Sequence, residues 1–345
     1  VTQVIIAIFA LRENQLAIDN MKKNHPVISH LEKTKPMLVT VTALHAGQRI
    51  DNFLARYSKG LPKSHLYRIL RKGEVRVNKK RIKPDYRVQA GDVVRVPPMR
   101  LATPASKVTA LPSHLEELLK SRILYEDKGL LIINKPAGMA VHGGSGINLG
   151  LIEALRFMYP QETALELAHR LDRDTSGCLL LAKKPSLLKE IHELLRKGGV
   201  DKRYLALVKG YWPKHLHVVD AALKKFELQS GERMVKVDDA GKPSQTEFRV
   251  IQRFADTTLV EAKLLTGRTH QIRVHGMHVG HPLVGDEKYG DKDFNKLCRG
   301  QGCKRLFLHA SSVSFTLPSY GKTITAQAPL EADLENCLQI LASSI

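Results

Sequence analysis

The stretch HRLDRDTSGCLLLAKK, residues 169–184, sets a polar turn directly before a short apolar run. Cys178 to Ala182 is too short for a typical helix and reads as a buried strand. Before it, Asp172 and Asp174 alternate with Arg170 and Arg173, and Thr175, Ser176 and Gly177 close a tight turn. Loops that run into a rigid sheet are where catalytic groups are commonly held. The same aspartates also suit a surface turn with ion pairs. On physical grounds both readings stay open.

Working outward, SLLKEIHELLRKG is an amphipathic helix expected to stop at Gly198. Residues 148–158 read as a helix. ILYEDKGLLIINKP, KRYLALVKG, EFRVIQRF and TLVEAKLL read as strands. Strands outnumber helices without regular βα alternation. The expected class is therefore α+β, with a mixed, largely antiparallel sheet. TGRTHQIRVH, 266–275, ends a strand and begins a helix, from which Arg268 and Arg273 can reach a carboxylate on another element. An exposed basic helix is the alternative. His270, His275, His278 and His281 lack a metalloprotease-type pattern, so no metal is expected. Cys298 and Cys303 form a lone pair, and the four cysteines are expected as free thiols in a reducing cytoplasm.

The 345-residue chain carries 54 Lys and Arg against 34 Asp and Glu, a net charge of +20. Nucleic acid and anionic membrane are the partners for such a surface. No apolar run approaches the roughly 20 residues of a spanning helix, which favours nucleic acid. Residues 47–97 hold 14 Lys and Arg and 4 Asp and Glu, a net +10. Ile50, Phe53, Leu54 and Tyr57 share one helical face. Ser64 is the expected N-cap of a second helix that ends at Gly73, and EVRVNKKRIK follows as a hairpin about Asn78. Lys63, Arg68, Arg71, Lys72, Arg76, Lys79, Lys80 and Arg81 cluster on the second helix and the hairpin. Phosphates reward such a cluster through counterion release. RIDNFL, KSHLYRILRKGEVRVNKKRIKP and AGDVVRVP together resemble the S-four-type module, which implies binding to structured RNA.

HRLDRDTSG is joined by NKPAGMAVHGGSG upstream, and by KRYLALVKG, TGRTHQIRVH and RLFLHA downstream. In this order they resemble the RluA-type pseudouridine synthase family. With the S-four-type module in front, the chain is similar to the branch that modifies large-subunit (23S) ribosomal RNA. The resemblance runs from about residue 40 to the end. It implies a pseudouridine synthase catalytic domain that flips a uridine out of the RNA and isomerises it, without cofactor or metal. It implies Asp172 as the catalytic aspartate, Tyr204 as the residue packing on the uracil, and Arg273 as the basic partner of the aspartate. Arg170 matches the arginine that displaces the target base. Lys135 and Arg268 are expected at the substrate, Lys135 within a motif that supports the active-site loop. VHGGSG, 141–146, lacks the ending of a phosphate loop and is expected as a flexible turn beside the RNA.

The expected organisation is an N-terminal arm over 1–46, the RNA-binding module over 47–97, a Pro-spaced linker over 98–120 and the catalytic domain over 121–345. Residues 1–20 are expected to lie upstream of a natural start at Met21. A cytoplasmic enzyme with ribosomal RNA as partner, and with no obligate protein partner or membrane, fits this pattern. Two other classes share parts of it. A non-catalytic assembly factor would use the module alone. A nucleoside or glycoside hydrolase would use paired carboxylates and release free base.

Overall fold

The computed structural model describes residues 36–55, 63–98, 111–143, 149–228 and 232–343. It divides into two units, 1–107 and 108–345. The expected start at Met21 and most of the expected arm lie outside the described residues, as does the second half of the glycine-rich 141–146 segment.

The first unit contains β1 (Met37–Thr40), α1 (Ile50–Ala55), α2 (Lys63–Lys72), β2 (Arg76–Val77), β3 (Lys80–Arg81) and β4 (Val93–Val96). The four strands pair antiparallel in the order β1-β4-β2-β3. Ile50, Phe53 and Leu54 from α1 and Leu66, Ile69 and Leu70 from α2 pack with Val77, Val94 and Val96. Burying each such side chain contributes about 1.5–3 kcal/mol. Asn78 and Lys79 both take positive φ, 49° and 66°. This is the two-residue turn whose twist matches a hairpin. Asn78 Oδ1 accepts from the Val93 amide at 2.8 Å, and its Nδ2 donates to Asp92 at 2.8 Å, tying the turn to β4.

Two expectations need correction here. Residues 37–40 are not arm: they form β1, whose backbone pairs with β4. Ser64 is not the N-cap, because α2 already includes Lys63.

The second unit begins with α3 (Ser113–Ser121), β5 (Ile123–Glu126), β6 (Leu130–Lys135), α4 (Leu151–Met158), β7 (Glu166–Leu167) and β8 (Ser176–Ala182). Next come α5 (Pro185–Lys197), β9 (Val200–Lys209), β10 (Val218–Asp220), β11 (Leu223–Glu227), β12 (Arg233–Val237), β13 (Gln245–Arg253) and β14 (Thr257–Leu264). It closes with α6 (Gln271–His278), α7 (Lys292–Gly300), β15 (Leu308–Leu317), β16 (Lys322–Gln327) and α8 (Ala332–Ser343). The main sheet runs β10-β13-β14-β9-β15-β8-β6-β5, with β16 added to β15 and β7 to β8. β8 and β15 are parallel and the other described pairings of this sheet are antiparallel, as the mixed pattern required. β6 and β8 are buried along their whole length. Their continuous apolar runs are what covering both faces of a strand demands.

The expected linker is also shorter than 98–120. Leu119 of α3 is fully buried in the core of the second unit, and Leu111 and Leu115 pack against that core. The expectation of four free thiols fails too. Cys303 and Cys337 form a disulfide within the cluster around Phe307, while Cys178 and Cys298 are free and buried.

Candidate active site

The HRLD segment leaves the sheet by a side-chain substitution. β7 pairs with β8 at Leu167 and Leu181, and the Ala168 amide still donates to the Leu180 carbonyl at 2.9 Å. One residue on, the His169 imidazole takes over: its Nε2 accepts from the Leu180 amide at 3.1 Å. The backbone is then free to turn outward. Leu171 is buried and anchors the turn, and the Thr175 amide closes it on the Asp172 carbonyl at 3.2 Å. Packing pushes the His169 pKa down to about 4, so the ring is a neutral acceptor near pH 7.

Two glycines allow the close approaches that fix the site. Gly177 has φ 108°, and a Cβ there would lie 2.2 Å from the Ala310 carbonyl oxygen. Beside it, Ser176 and His309 are hydrogen-bonded at 2.9 Å. RLFLHA is thereby locked to the TSG turn. Gly285 has φ 74°, and a Cβ would lie 2.0 Å from the Arg305 carbonyl oxygen. It sets the next residue, Asp286, into the interior.

Arg273, on α6, donates to Asp172 Oδ2 at 3.1 Å. Its Nε and Nη2 each reach Asp286 at 2.7 Å. Asp286 also accepts from the amides of Lys288 and Tyr289. The carboxylate partners raise the Arg273 pKa, and the hydrogen bonds lower that of Asp286, in each case against the effect of burial. The pair is ionised.

A second chain of contacts approaches the other carboxylate oxygen of Asp172. The Val235 amide donates to the Tyr289 hydroxyl at 2.9 Å, and Tyr289 lies 2.7 Å from His270 Nδ1. With the Val235 amide on one lone pair, the hydroxyl can donate to Nδ1, the tautomer that puts the ring proton on Nε2, 3.7 Å from Asp172 Oδ1. Burial, and after it Arg273, outweighs Asp172 and pushes the His270 pKa down. His270 itself has φ 54°, an uncommon conformation for a non-glycine residue, just before α6.

Asp172, His270 and Arg273 line a cleft of about 900 Å³. Asp172, Tyr204 and Arg273 all line it, and Arg170 and Arg268 line the same cleft. Tyr204 is 6% exposed. Burial first, and Asp172 second, push its phenol pKa up, so the resting side chain is a neutral ring with an O–H. Arg268 does not reach Asp172; its Nε donates to the Pro243 carbonyl at 3.1 Å. Asp174 is a turn residue paired with Arg173 at 3.1 Å.

Lys135 is not placed to bind substrate, which corrects the expectation for it. It is wholly buried, and its Nζ donates to the carbonyls of Pro136, Met139 and Arg173, each at 2.9 Å. Three acceptors match the three donors of an ammonium group. Burial lowers its pKa to about 8, which leaves it charged at neutral pH. Lys135 braces the Asp172 loop from beneath, the supporting role its motif implied.

The four histidines considered as ligands are dispersed. His275 contacts Ser244 and Thr246, and His281 contacts the Lys209 carbonyl. Asp286, Tyr289 and the orienting part played by His270 escaped the sequence reading.

In the first unit, Arg68, Arg71, Lys72, Arg76, Lys79, Lys80 and Arg81 are all exposed, on α2 and the β2–β3 hairpin. Lys63 opens α2, and its side chain lies outside the described residues. Arg81 also serves the fold: it donates to the Arg71 carbonyl near the C-terminus of α2.

Comparison with known proteins adds family information to this geometry. A family model described as RNA pseudouridylate synthase matches residues 129–278, and an S4 domain model matches residues 48–94. Ribosomal large subunit pseudouridine synthase C of Salmonella typhimurium (strain LT2) is 53% identical over 311 residues, covering 89% of this chain and 97% of that protein. The Haemophilus influenzae protein of the same name is 51% identical over 323 residues, covering 94% and 99%. Among solved structures, human RNA pseudouridylate synthase domain containing 4 has a TM-score of 0.54 at 26% identity, over 66% of this chain and 96% of that one.

Proposed function

Since the chain belongs to the RNA pseudouridylate synthase family and is an RNA pseudouridine synthase, we propose that it isomerises specific uridines of 23S, large-subunit ribosomal RNA, with Asp172 as its catalytic residue. The observation that carries this reading is Asp172 itself, on a braced turn in the cleft, with Arg273 on one oxygen and Tyr204 lining the same space. The similarity to the large-subunit relatives extends through both units, so the basic module and the cleft are read as one RNA-binding enzyme.

The reaction breaks the bond between uracil N1 and the sugar C1′, turns the base and joins C1′ to C5. N1 gains a proton and C5 loses one. Atoms and electrons balance without an external reactant. A stacked base is out of reach, so the uridine enters the cleft flipped. Arg170, exposed at the cleft, suits the space the base vacates or the neighbouring phosphate. The Asp172 carboxylate either attacks the sugar or base or removes a sugar proton. In each route it must face the nucleotide, and Arg273 fixes its orientation. Tyr204 offers its ring face to uracil and, as a neutral phenol, can donate a proton. An enzyme working on bacterial ribosomal RNA works in the cytoplasm, which belongs to the same reading. No described helix is long and apolar enough to cross a membrane.

The test is carbodiimide mapping combined with mass spectrometry of an unmodified 23S transcript. Pseudouridine should appear at discrete sites with RNA mass unchanged. Asp172→Asn should abolish the product while RNA affinity stays within a few-fold, because Asn keeps the shape but is neither nucleophile nor base. Asp174→Asn should be mild. Abasic sites would indicate hydrolysis, and RNA binding without product by the unmutated enzyme would indicate an assembly factor.

A further inference from the structure

β9 sends alternate side chains to opposite faces. Tyr204 and, two residues earlier, Lys202 both line the Asp172 cleft. The intervening Arg203 turns away and pairs with Asp201 and Glu261, at 3.1 Å each. Lys202 has no such relief. Among the described residues its ammonium group makes no hydrogen bond or ion pair. A Cβ on Gly267 would lie 3.7 Å from its Nζ, which places the charge beside the 266–268 turn. Its charge also acts on His169, another residue of the cleft wall. Burial lowers its pKa, and no nearby carboxylate offsets that.

A partly buried cation without a counter-charge is costly unless something anionic completes it. The cleft around it has the matching character. Arg170, Lys189, Arg196, Arg268 and Arg273 line it with Lys202, and Asp172 is the one carboxylate among the described lining residues. Lys189 and Arg196 stand seven residues apart on one face of α5. Asp172 is already held by Arg273. Lys202 is thus a partly buried cation of the cleft wall that has no counter-charge among the described residues.

We propose that Lys202 is a substrate-binding residue that takes a backbone phosphate of the RNA at the flipped uridine. This rests on the reading of the cleft as the uridine site. The phosphate supplies the missing counter-charge, and the nucleotide is held by its backbone on the same strand that offers Tyr204 to its base.

The test compares the wild-type chain with Lys202→Gln and Lys202→Arg, using an unmodified 23S transcript as the probe. Filter binding across a salt series should show a slope of log affinity against log salt that is shallower by about 0.7–0.9 for Lys202→Gln, the value for one phosphate contact. Lys202→Arg should keep the wild-type slope. The melting temperature of free Lys202→Gln should equal or exceed that of wild type, because an uncompensated charge has been removed. An unchanged slope overturns the proposal. So does a Lys202→Gln protein that unfolds or melts lower, since the lysine is then structural. Pseudouridine formation by the wild type is scored separately. Its absence removes the functional assignment, whereas the salt slope still reports on Lys202.

Discussion

Asp286 grips Arg273 through two hydrogen bonds of 2.7 Å, and the third guanidinium nitrogen, Nη1, donates to Asp172 at 3.1 Å. Asp286 is 1% exposed and Asp172 is more open, so the interior carboxylate holds the arginine and the arginine presents itself to the cleft. Removing one member of a buried pair leaves an uncompensated charge, at a cost of about 3–5 kcal/mol. Asp286→Ala should therefore lower the denaturation midpoint markedly and reduce single-turnover rate, although Asp286 need not touch the RNA. Asp286→Glu, tested at a temperature where it is folded, should recover part of both. Wild-type turnover in Asp286→Ala would mean that Arg273 needs no anchor.

Lys135 makes a different demand. Its three carbonyl partners at 2.9 Å include Arg173, next to Asp172. Lys135→Met keeps most of the length and leaves those acceptors without their donor. Each lost buried hydrogen bond costs about 1–3 kcal/mol. The variant should be less stable and slower at saturating RNA, with an unchanged salt slope for binding, because Lys135 has no exposure to substrate. A shallower slope would restore it as an RNA contact.

Much of this was readable from residue order alone. CLLLA reads as a strand because an apolar run of five can be little else beside a turn, and the helix stop at Gly198 was set by its position after LLRK. Asp172 and Arg273 were legible as a pair only because motif and charge pointed the same way. Asp286 was not, since GDEKYG gives no local hint that its carboxylate is buried. That depends on Gly285 passing against the Arg305 carbonyl, a long-range contact. The disulfide was hidden for the same reason: Cys303 and Cys337 stand 34 residues apart, and only packing around Phe307 brings them together. β1 was missed because four residues of edge strand are defined by their partner, β4, more than by their own pattern.

The interior histidines predict how stability follows pH. His169 titrates at about 4 in the folded protein and near its ordinary value of about 6.5 when unfolded. Between those values the unfolded chain binds more protons, so folding stability rises with pH across this window and falls on acidification. His275 and His309 are also pushed down by burial and act in the same direction. Thermal melts from pH 7 to pH 4 should show a progressive loss. His169→Gln retains a side-chain acceptor for Leu180 but does not titrate, so its melting temperature should fall less steeply. Parallel curves for the two proteins would exclude His169 as a source of the slope.

The division of labour between the two units can be tested by removing residues 1–107. The hydrophobic core of the second unit begins with Leu111, and α3 contributes Leu119 to it, so a cut after 107 keeps every residue that core requires. The fragment should fold, and Asp172, Tyr204 and Arg273 remain in it. What it loses is the module of 14 Lys and Arg against 4 Asp and Glu over 47–97. Each phosphate contact removed should lower the salt slope of RNA binding by about 0.7–0.9. Apparent affinity for a 23S transcript should drop, and the set of modified uridines should broaden or shift. The single-turnover rate at saturating RNA should change much less, because Arg273, His270 and Tyr289, which build the contacts to Asp172, all remain in the fragment. Filter binding over a salt series and single-turnover assays on both proteins separate these effects. Equal affinity and slope would show that the basic module does not anchor the RNA, and a folded but inactive fragment would show that it helps to build the active site.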